Sequence, residues 1–178
     1  MNDIAIRPVD PADAAAIRDI YAPIVEDTAI SFEIEVPSVA EISARITAIT
    51  ATYPWFVAVS AQDAGVIGYV YASAHHARAA YRWSVDVTVY IHGDWRGRNV
   101  GRQLCTTLFD ALREQGFVMA YAGITLPNAG SVGLHEAMGF EPVGTFRQAG
   151  YKLGAWHDVG YWQLQLTPLP RAPREFPR

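Results

Sequence analysis

One stretch, Val85 to Arg102, constrains the fold of this 178-residue chain more than any other. Residues 85–91 place β-branched apolar residues at every second position, which is typical of a strand that buries one face. A polar loop, Arg96-Gly97-Arg98-Asn99-Val100-Gly101, follows with little side-chain bulk and several free backbone N–H groups. The loop opens directly into a helix whose positive end adds to the two arginines. The stretch therefore predicts a strand-loop-helix unit that binds an anion such as phosphate.

The composition predicts one globular domain with no general affinity for acidic partners. With 178 residues, 51% of them hydrophobic, the chain can form a sizeable core. A net charge of −4 and a pI near 5.7 argue against nucleic-acid and anionic-membrane partners. The single cysteine, Cys105, permits no internal disulfide and suits a core position inside a helix. Because neither a signal-peptide pattern nor an apolar run of membrane-spanning length is evident, we expect a cytoplasmic protein.

Periodicity and capping signals predict the order of helices and strands. Asp10 is a good N-cap for a first helix that runs to about Val25, and Ser38 with Glu41 forms a capping box before a second helix. Gly116 suits the end of a third helix, which begins in the polar loop described above. Strands are expected over 4–7, 55–59, 66–72, 85–91, 119–125, 143–149 and 159–166, with Ser31-Phe32-Glu33 either a short strand or an ordered loop.

Two motifs occur in order along the chain. The first is Val89-x-Ile91 followed by the Arg96 to Gly101 loop, and the second comprises Asn128-x-x-Ser131 and Leu134-His135-Glu136-x-x-Gly139-Phe140. Together they resemble the two acyl-CoA signatures of the GNAT N-acetyltransferases. The segments Ser31-Phe32-Glu33, Tyr53-Pro54-Trp55, Arg78-x-x-Tyr81, Leu126-Pro127-Asn128 and Gly150-Tyr151-Lys152-x-x-x-Trp156-His157-Asp158-Val159 further resemble phosphinothricin and methionine sulfoximine/sulfone N-acetyltransferases.

This resemblance implies a GNAT fold, in which helices flank a mixed central sheet with splayed strands. It implies a single acetyltransferase domain over residues 1–167, a Pro/Arg-rich and poorly ordered tail over 168–178, and a homodimer. The reaction implied is the transfer of an acetyl group from acetyl-CoA to the amino group of a small amino-acid-like acceptor. Resistance to phosphinothricin would then be either the physiological role or incidental to another substrate.

The resemblance also assigns the acetyl-CoA site, where this chain departs from the family at one position. Backbone amides of residues 97–102 would hold the pyrophosphate, Asn128 would hydrogen-bond the pantetheine, and an amide near Val89 or Tyr90 would stabilise the oxyanion. The family usually has glycine where this chain has Asn99, but asparagine tolerates a positive φ better than other non-glycine residues. The residues expected to bind acetyl-CoA are Val89, Tyr90, Ile91, Gly97, Arg98, Asn99, Val100, Gly101, Arg102 and Asn128.

Asp86 and His135 are the candidate catalytic residues. Asp86 lies on the strand face opposite Val85 and Val87, so it could line a cleft and accept the amine proton through a water. The family usually has glutamate there, and an acid hydrogen-bonded across the sheet is the alternative interpretation of Asp86. His135, with a reference pKa near 6.5, could receive the amine proton, protonate the leaving thiolate or only fill the core.

Four residues are candidates for binding the acceptor. Arg78 could pair with a carboxylate in two hydrogen bonds, while Phe32, Tyr71 and Tyr81 could supply apolar walls. The alternative for each aromatic ring is ordinary core packing. We expect no metal site, because His75 and His76 are adjacent at a strand end and should point apart.

Two other functions compete with the transferase hypothesis. The departures at Asp86 and Asn99 leave open an acyl-CoA-binding module without turnover, or one that serves a different small amine. A nucleotide-binding protein would rest on the phosphate loop alone. It is disfavoured because the Walker lysine and the dinucleotide GxGxxG spacing are both missing from the sequence.

Overall fold

The computed structural model describes residues 4–62 and 64–172, which fold into seven strands and four α-helices. Short 3-10 helices over Pro11–Asp13, Ala79–Tyr81 and Gly93–Trp95 connect some of them. The elements in chain order are β1 (Ile4–Pro8), α1 (Ala14–Asp27), α2 (Val39–Thr50), β2 (Trp55–Ser60), β3 (Val66–Ala74), β4 (Ser84–Ile91), α3 (Val100–Gln115), β5 (Met119–Leu126), α4 (Ala129–Ala137), β6 (Glu141–Lys152) and β7 (Ala155–Gln165). The predicted fold class, a mixed α/β fold, is confirmed.

A single sheet runs in the order β1-β2-β3-β4-β5-β7-β6. Every neighbouring pair is antiparallel except β4 and β5, which are parallel and joined by α3. Helices cover both faces of this sheet. Along β2, Val57 packs in a core with α1 and α2, whereas the next residue, Ala58, packs in a core with α3.

The α3 side of the sheet holds the larger core. Leu104, Leu108 and Leu112 of α3 are fully buried at helical spacing against the central strands. Cys105 lies buried among them, and burial raises the pKa of its thiol to about 12. This placement confirms a packing role for Cys105 rather than that of a nucleophile.

Local capping follows the sequence prediction closely at the first two helices. The Ser38 hydroxyl accepts a hydrogen bond from the Glu41 amide at 3.2 Å, and the Glu41 carboxylate accepts from the Ser38 amide at 2.7 Å. Asp10 caps the 3-10 turn that leads into α1, accepting from the Ala12 amide at 2.8 Å. Residues 31–33 form an ordered loop rather than a strand.

The last hairpin is longer than predicted. β6 and β7 pair as far as Lys152 and Ala155, across a two-residue turn in which Leu153 (φ 51°) and Gly154 (φ 77°) both adopt positive φ. This conformation matches the twist of an antiparallel hairpin, but a leucine in the turn gives no sequence signal for it. Of the expected tail over 168–178, residues 173–178 lie outside the described residues. In the described chain, no helix combines the length and apolarity needed to cross a membrane.

Candidate active site

The site begins where the two parallel strands separate. β4 and β5 share three register pairs, of which Asp86–Tyr121 is the last. Beyond it, β4 stays paired with β3 as far as Ile91, and β5 stays paired with β7 as far as Leu126. Because N–H groups alternate between the two edges of a strand, about every second amide of residues 87–91 faces this gap. The splayed strands that the family resemblance implies are therefore present.

The loop before α3 has the backbone of an anion-binding nest. Gly97 has φ 73° and Asn99 has φ 63°, both in the left-handed region. Asn99 makes no side-chain cap, and the first bond of α3 runs from the Gln103 amide to the Asn99 carbonyl at 3.2 Å. The amides of the preceding helical residues, 100–102, thus point out of the helix end. The predicted tolerance of Asn99 for positive φ is confirmed.

A cleft of about 710 Å³ joins this loop to the gap between the strands. Nine of the ten residues expected to bind acetyl-CoA line it, all except Arg98. The Arg98 guanidinium lies over the Trp95 ring, 5.2 Å from its centroid, in a cation-π contact. Other lining residues were not among the predicted site residues: Ile24, Ile30, Trp95, Arg96, Gly130, Ser131, Leu134 and Ala137.

Asn128 is the N-cap residue of α4 and lines the cleft. Its side-chain carbonyl accepts a hydrogen bond from the Ser131 amide at 3.1 Å, which caps the helix. The carbonyl oxygen is therefore engaged locally, while the amide nitrogen has its two N–H donors to offer a ligand. This geometry sharpens the predicted pantetheine contact to a donor role for Asn128.

His135 lies on α4 and faces a smaller cavity of about 80 Å³ that continues the cleft between β4 and β5. The side chain is 3% exposed, and its Nδ1 lies 2.8 Å from the Ser131 carbonyl oxygen. Since a carbonyl only accepts, Nδ1 carries the proton and Nε2 of the neutral ring is an acceptor. Nε2 is buried and has no hydrogen-bond partner among residues 4–62 and 64–172. Burial lowers the pKa of His135, which favours this neutral form.

The lowered pKa of His135 makes the stability of the protein pH-dependent. The unfolded histidine binds protons at its ordinary pKa of about 6.5, whereas the folded one resists protonation, so the unfolded state binds more protons below that pH. We expect the free energy of unfolding to fall as the pH drops through and below about 6.5. His135→Gln should flatten this dependence, as measured by urea unfolding between about pH 8 and about pH 5. An unchanged slope in the variant would contradict this.

Asp86 lies outside both cavities, at the last register pair before the gap. The next residue on the same strand face, Thr88, lines the smaller cavity, roughly 7 Å further along β4. Oδ1 of Asp86 lies 2.7 Å from Nδ1 of His75, just beyond the end of β3. Burial raises the pKa of Asp86, while the hydrogen bond and charge of His75 oppose that rise. The Asp86 carboxylate is thus hydrogen-bonded to His75, which follows β3, and it also lies next to the smaller cavity.

His75 was missed as a site residue, and the expectation that His75 and His76 point apart is wrong. Their ring centroids are 4.2 Å apart, because the chain bends at His75 and strand alternation no longer applies. His75 also stacks on Tyr121 at 4.2 Å. Among residues 4–62 and 64–172, no group of three or more potential ligands could hold a metal ion.

The four residues predicted to bind the acetyl acceptor do not form one common surface, and none of them lines either cavity. Phe32 packs so closely over Gly150 of β6 that a side chain there would overlap its ring. Tyr71 stacks on Trp55 with centroids 4.3 Å apart. Arg78 is exposed at the start of a 3-10 turn, and Tyr81, at the end of that turn, contacts the rings of His75 and His76.

A polar network orders the loop that carries Phe32. Arg45 of α2 binds the Glu33 carboxylate through two hydrogen bonds of 2.6 and 3.0 Å, which lower the pKa of Glu33. Tyr21 of α1 contacts Ser31 at 2.6 Å, and Lys152 of β6 donates to the Ser31 carbonyl at 2.7 Å. The loop is therefore tied to both helices and to the last hairpin, and the residue just before it, Ile30, lines both cavities.

The geometry defines an acyl-CoA type of site, in which a phosphate-binding nest at a helix start leads to a gap between splayed parallel strands. The sequence profile of the acetyltransferase (GNAT) domain matches residues 6–160. The chain belongs to the GNAT acetyltransferase family.

Relatives across this family cover almost the whole chain. It is 41% identical over 172 residues to the phosphinothricin N-acetyltransferase of Streptomyces viridochromogenes, covering 96% of this chain and 92% of that protein. It is 34% identical over 170 residues to the L-methionine sulfoximine/L-methionine sulfone acetyltransferase of Pseudomonas aeruginosa, covering 95% and 98%. The crystal structure of a phosphinothricin acetyltransferase from Sinorhizobium meliloti in complex with acetyl-CoA superposes with a TM-score of 0.89 at 33% identity, covering 96% and 95%. The enzyme class and the resemblance predicted from the motifs are confirmed.

Proposed function

We propose that this protein transfers the acetyl group of acetyl-CoA to the α-amino group of a small amino-acid-like acceptor. The transfer takes place directly, in a ternary complex of the enzyme, acetyl-CoA and the acceptor. The observation that supports it best is the continuity of the cleft, which runs from the nest at Gly97 and Asn99 to a smaller cavity lined by His135. The relatives named above act on phosphinothricin or methionine sulfoximine, both amino-acid analogues. We further propose one catalytic domain over residues 1–167, followed by the tail over 168–178, acting in the cytoplasm.

The residues of the cleft suit acetyl-CoA. Outward-pointing amides of residues 100–102, with Arg96 and Arg102 beside them, match the charge of a pyrophosphate, and the Asn128 amide matches a pantetheine carbonyl. When bound, acetyl-CoA supplies the thioester carbonyl that the amine attacks. The C–S bond then breaks, and CoA leaves as a thiolate that takes up the proton released by the attacking nitrogen. Gap-facing amides near Val89 and Tyr90 donate to the negative charge that develops on the carbonyl oxygen.

Asp86 and His135 have different roles in the transfer. An ammonium group is not a nucleophile, so a base must remove its proton, and Asp86 beside the gap does so directly or through one water. His135 is neutral with Nε2 as an acceptor, so it orients the attacking amine or a water through a hydrogen bond at Nε2. Arg78, exposed near Tyr81, is our candidate for the acceptor carboxylate.

An acetyl-transfer screen tests the function. Thiol release from acetyl-CoA should rise on addition of phosphinothricin, methionine sulfoximine, methionine sulfone or an ordinary amino acid, with specificity constants ranking the acceptors. The same acceptors with the amine already acetylated are the matched controls and should release no thiol. Tight acetyl-CoA binding without turnover across the panel would contradict the proposal and support a binding module.

We also propose that the protein is a homodimer joined through the β6–β7 hairpin. This hairpin forms the edge of the sheet and exposes large apolar side chains, each at least 57% accessible: Val143, Phe146, Tyr151, Leu153 and Trp156. A patch of this kind at an open sheet edge is typical of a protein interface.

The dimer is tested by the mass in solution. We expect the wild type to elute at twice the 19.6 kDa chain mass, and the double variant Phe146→Glu/Trp156→Glu to elute at 19.6 kDa, measured by light scattering. Leu169→Glu is the matched control, since Leu169 is 71% exposed but lies outside the hairpin, and it should stay dimeric. A monomeric wild type would contradict the proposal.

A further inference from the structure

His75 connects the three strands at the point where the sheet splits. It follows the end of β3, its Nδ1 lies 2.7 Å from Oδ1 of Asp86 on β4, and its ring stacks on Tyr121 of β5 at 4.2 Å with 16° between the planes. Asp86 and Tyr121 are themselves the last register pair before the gap. The imidazole therefore sits against the carboxylate at the base of the gap and is held there by contacts from two sides.

The hydrogen bond with His75 determines which oxygen of Asp86 is left to accept a proton. A carboxylate only accepts, so Nδ1 of His75 donates the hydrogen bond and Oδ1 is engaged. The second oxygen, Oδ2, is then the one to take a proton. The Asp86 side chain is 42% exposed, whereas the His75 side chain is 16% exposed, so the imidazole is the more enclosed member of the pair. Without a partner, a short, half-exposed aspartate could rotate among several rotamers.

We infer that His75 is a positioning residue for the acetyl transfer: its Nδ1–H holds the Asp86 carboxylate so that Oδ2 faces the acceptor ammonium or the water beside it. In that step an N–H bond of the ammonium breaks, the proton goes to Oδ2, and the electron pair stays on nitrogen for attack. The inference rests on the proposed function, because it assigns a role within that reaction.

The contact with His75 also acts on the pKa of Asp86, in opposition to the larger effect of burial. Three other titratable side chains lie against the His75 ring: the His76 imidazole and the phenols of Tyr81 and Tyr121. Burial raises the pKa of Asp86, and the His75 hydrogen bond opposes this more than the charge of His76 does. Loss of the His75 bond should therefore raise the pKa of Asp86 further. Since the base must be ionised, the acid limb of kcat/KM should move to higher pH.

Two substitutions at His75 separate its hydrogen bond from its stacking contact. His75→Phe keeps a ring against Tyr121 but cannot donate, whereas His75→Asn puts an amide N–H at the place of Nδ1 but loses the stacking. We expect His75→Phe to lower kcat roughly 10- to 100-fold, the scale of a misplaced reacting group, and to shift the acid limb upward. His75→Asn should keep most of the wild-type kcat. His76→Asn is the control and should shift the limb less.

Each result decides between a positioning role and a merely structural one. If His75→Phe keeps the wild-type kcat and acid limb, or if His75→Asn is as impaired as His75→Phe, the inference is wrong. NMR of the imidazole protons tests the hydrogen bond between His75 and Asp86 without any need for turnover. In the wild type, the Nδ1–H resonance of His75 should be present and shifted downfield, and it should be lost in His75→Phe. A wild type that shows this resonance but acetylates no acceptor would count against the proposed function rather than against the pair.

Discussion

Asp86→Asn is expected to lower kcat/KM for the acceptor about 10²- to 10⁴-fold at neutral pH, the range that general acid-base catalysis supplies. Asparagine keeps the size of the side chain, and its carbonyl can still accept from His75, so the variant isolates the loss of the base. The KM for acetyl-CoA should stay near that of the wild type, because Asp86 does not line the cleft. Steady-state kinetics with each substrate varied in turn measures both quantities.

The pH profile of the same variants gives an independent check. Burial raises the pKa of Asp86, and an ionised carboxylate is needed, so wild-type kcat/KM should fall as the pH drops through that pKa. Asp86→Asn should lack this acid limb, while Asp86→Glu should retain it with an intermediate loss of rate, since the extra methylene displaces the carboxylate from His75. Asp86→Asn with turnover within about tenfold of the wild type would remove Asp86 from the role of base.

Local chemistry explains why much of the site could be predicted from the sequence. The phosphate loop depends on consecutive residues whose backbone preferences are known, and the positive φ of Asn99 was expected because the resembled family usually has glycine there and asparagine tolerates the same conformation. The capping box at Ser38 and Glu41 is similarly local. Residues 89–91 and 97–102 are close in sequence, which explains why nearly all of the expected cleft residues line the cleft.

The parts that were not predicted depend on contacts between distant segments. Ile24 and Ile30 reach the cleft only because α1 and the following loop pack beside β4, and no local pattern distinguishes them from core residues. His75 meets Asp86 because the chain bends just after β3, where alternation ceases to apply. Tertiary packing decides each of these cases.

The conformation of Asn99 leads to the second large expected effect, on the affinity for acetyl-CoA. A β-branched residue in the left-handed region costs about 1–3 kcal/mol, so Asn99→Val should distort the nest or hold it under strain. At 1.4 kcal/mol per factor of ten, this corresponds to a Kd weakened roughly 5- to 150-fold if the cost falls on binding. Isothermal titration calorimetry with acetyl-CoA measures it.

Asn99→Gly is the matched control, since glycine adopts φ 63° freely and removes the same side chain. Its Kd should equal that of the wild type or be tighter. Where Asn99→Val keeps the native loop, the strain appears in the folded protein instead, as a lower free energy of unfolding relative to Asn99→Gly. The loss in binding free energy and the loss in free energy of unfolding should therefore add up to the cost of placing valine in the left-handed conformation. Equal sums for Asn99→Val and Asn99→Gly would show that the left-handed turn at Asn99 does not shape the nest.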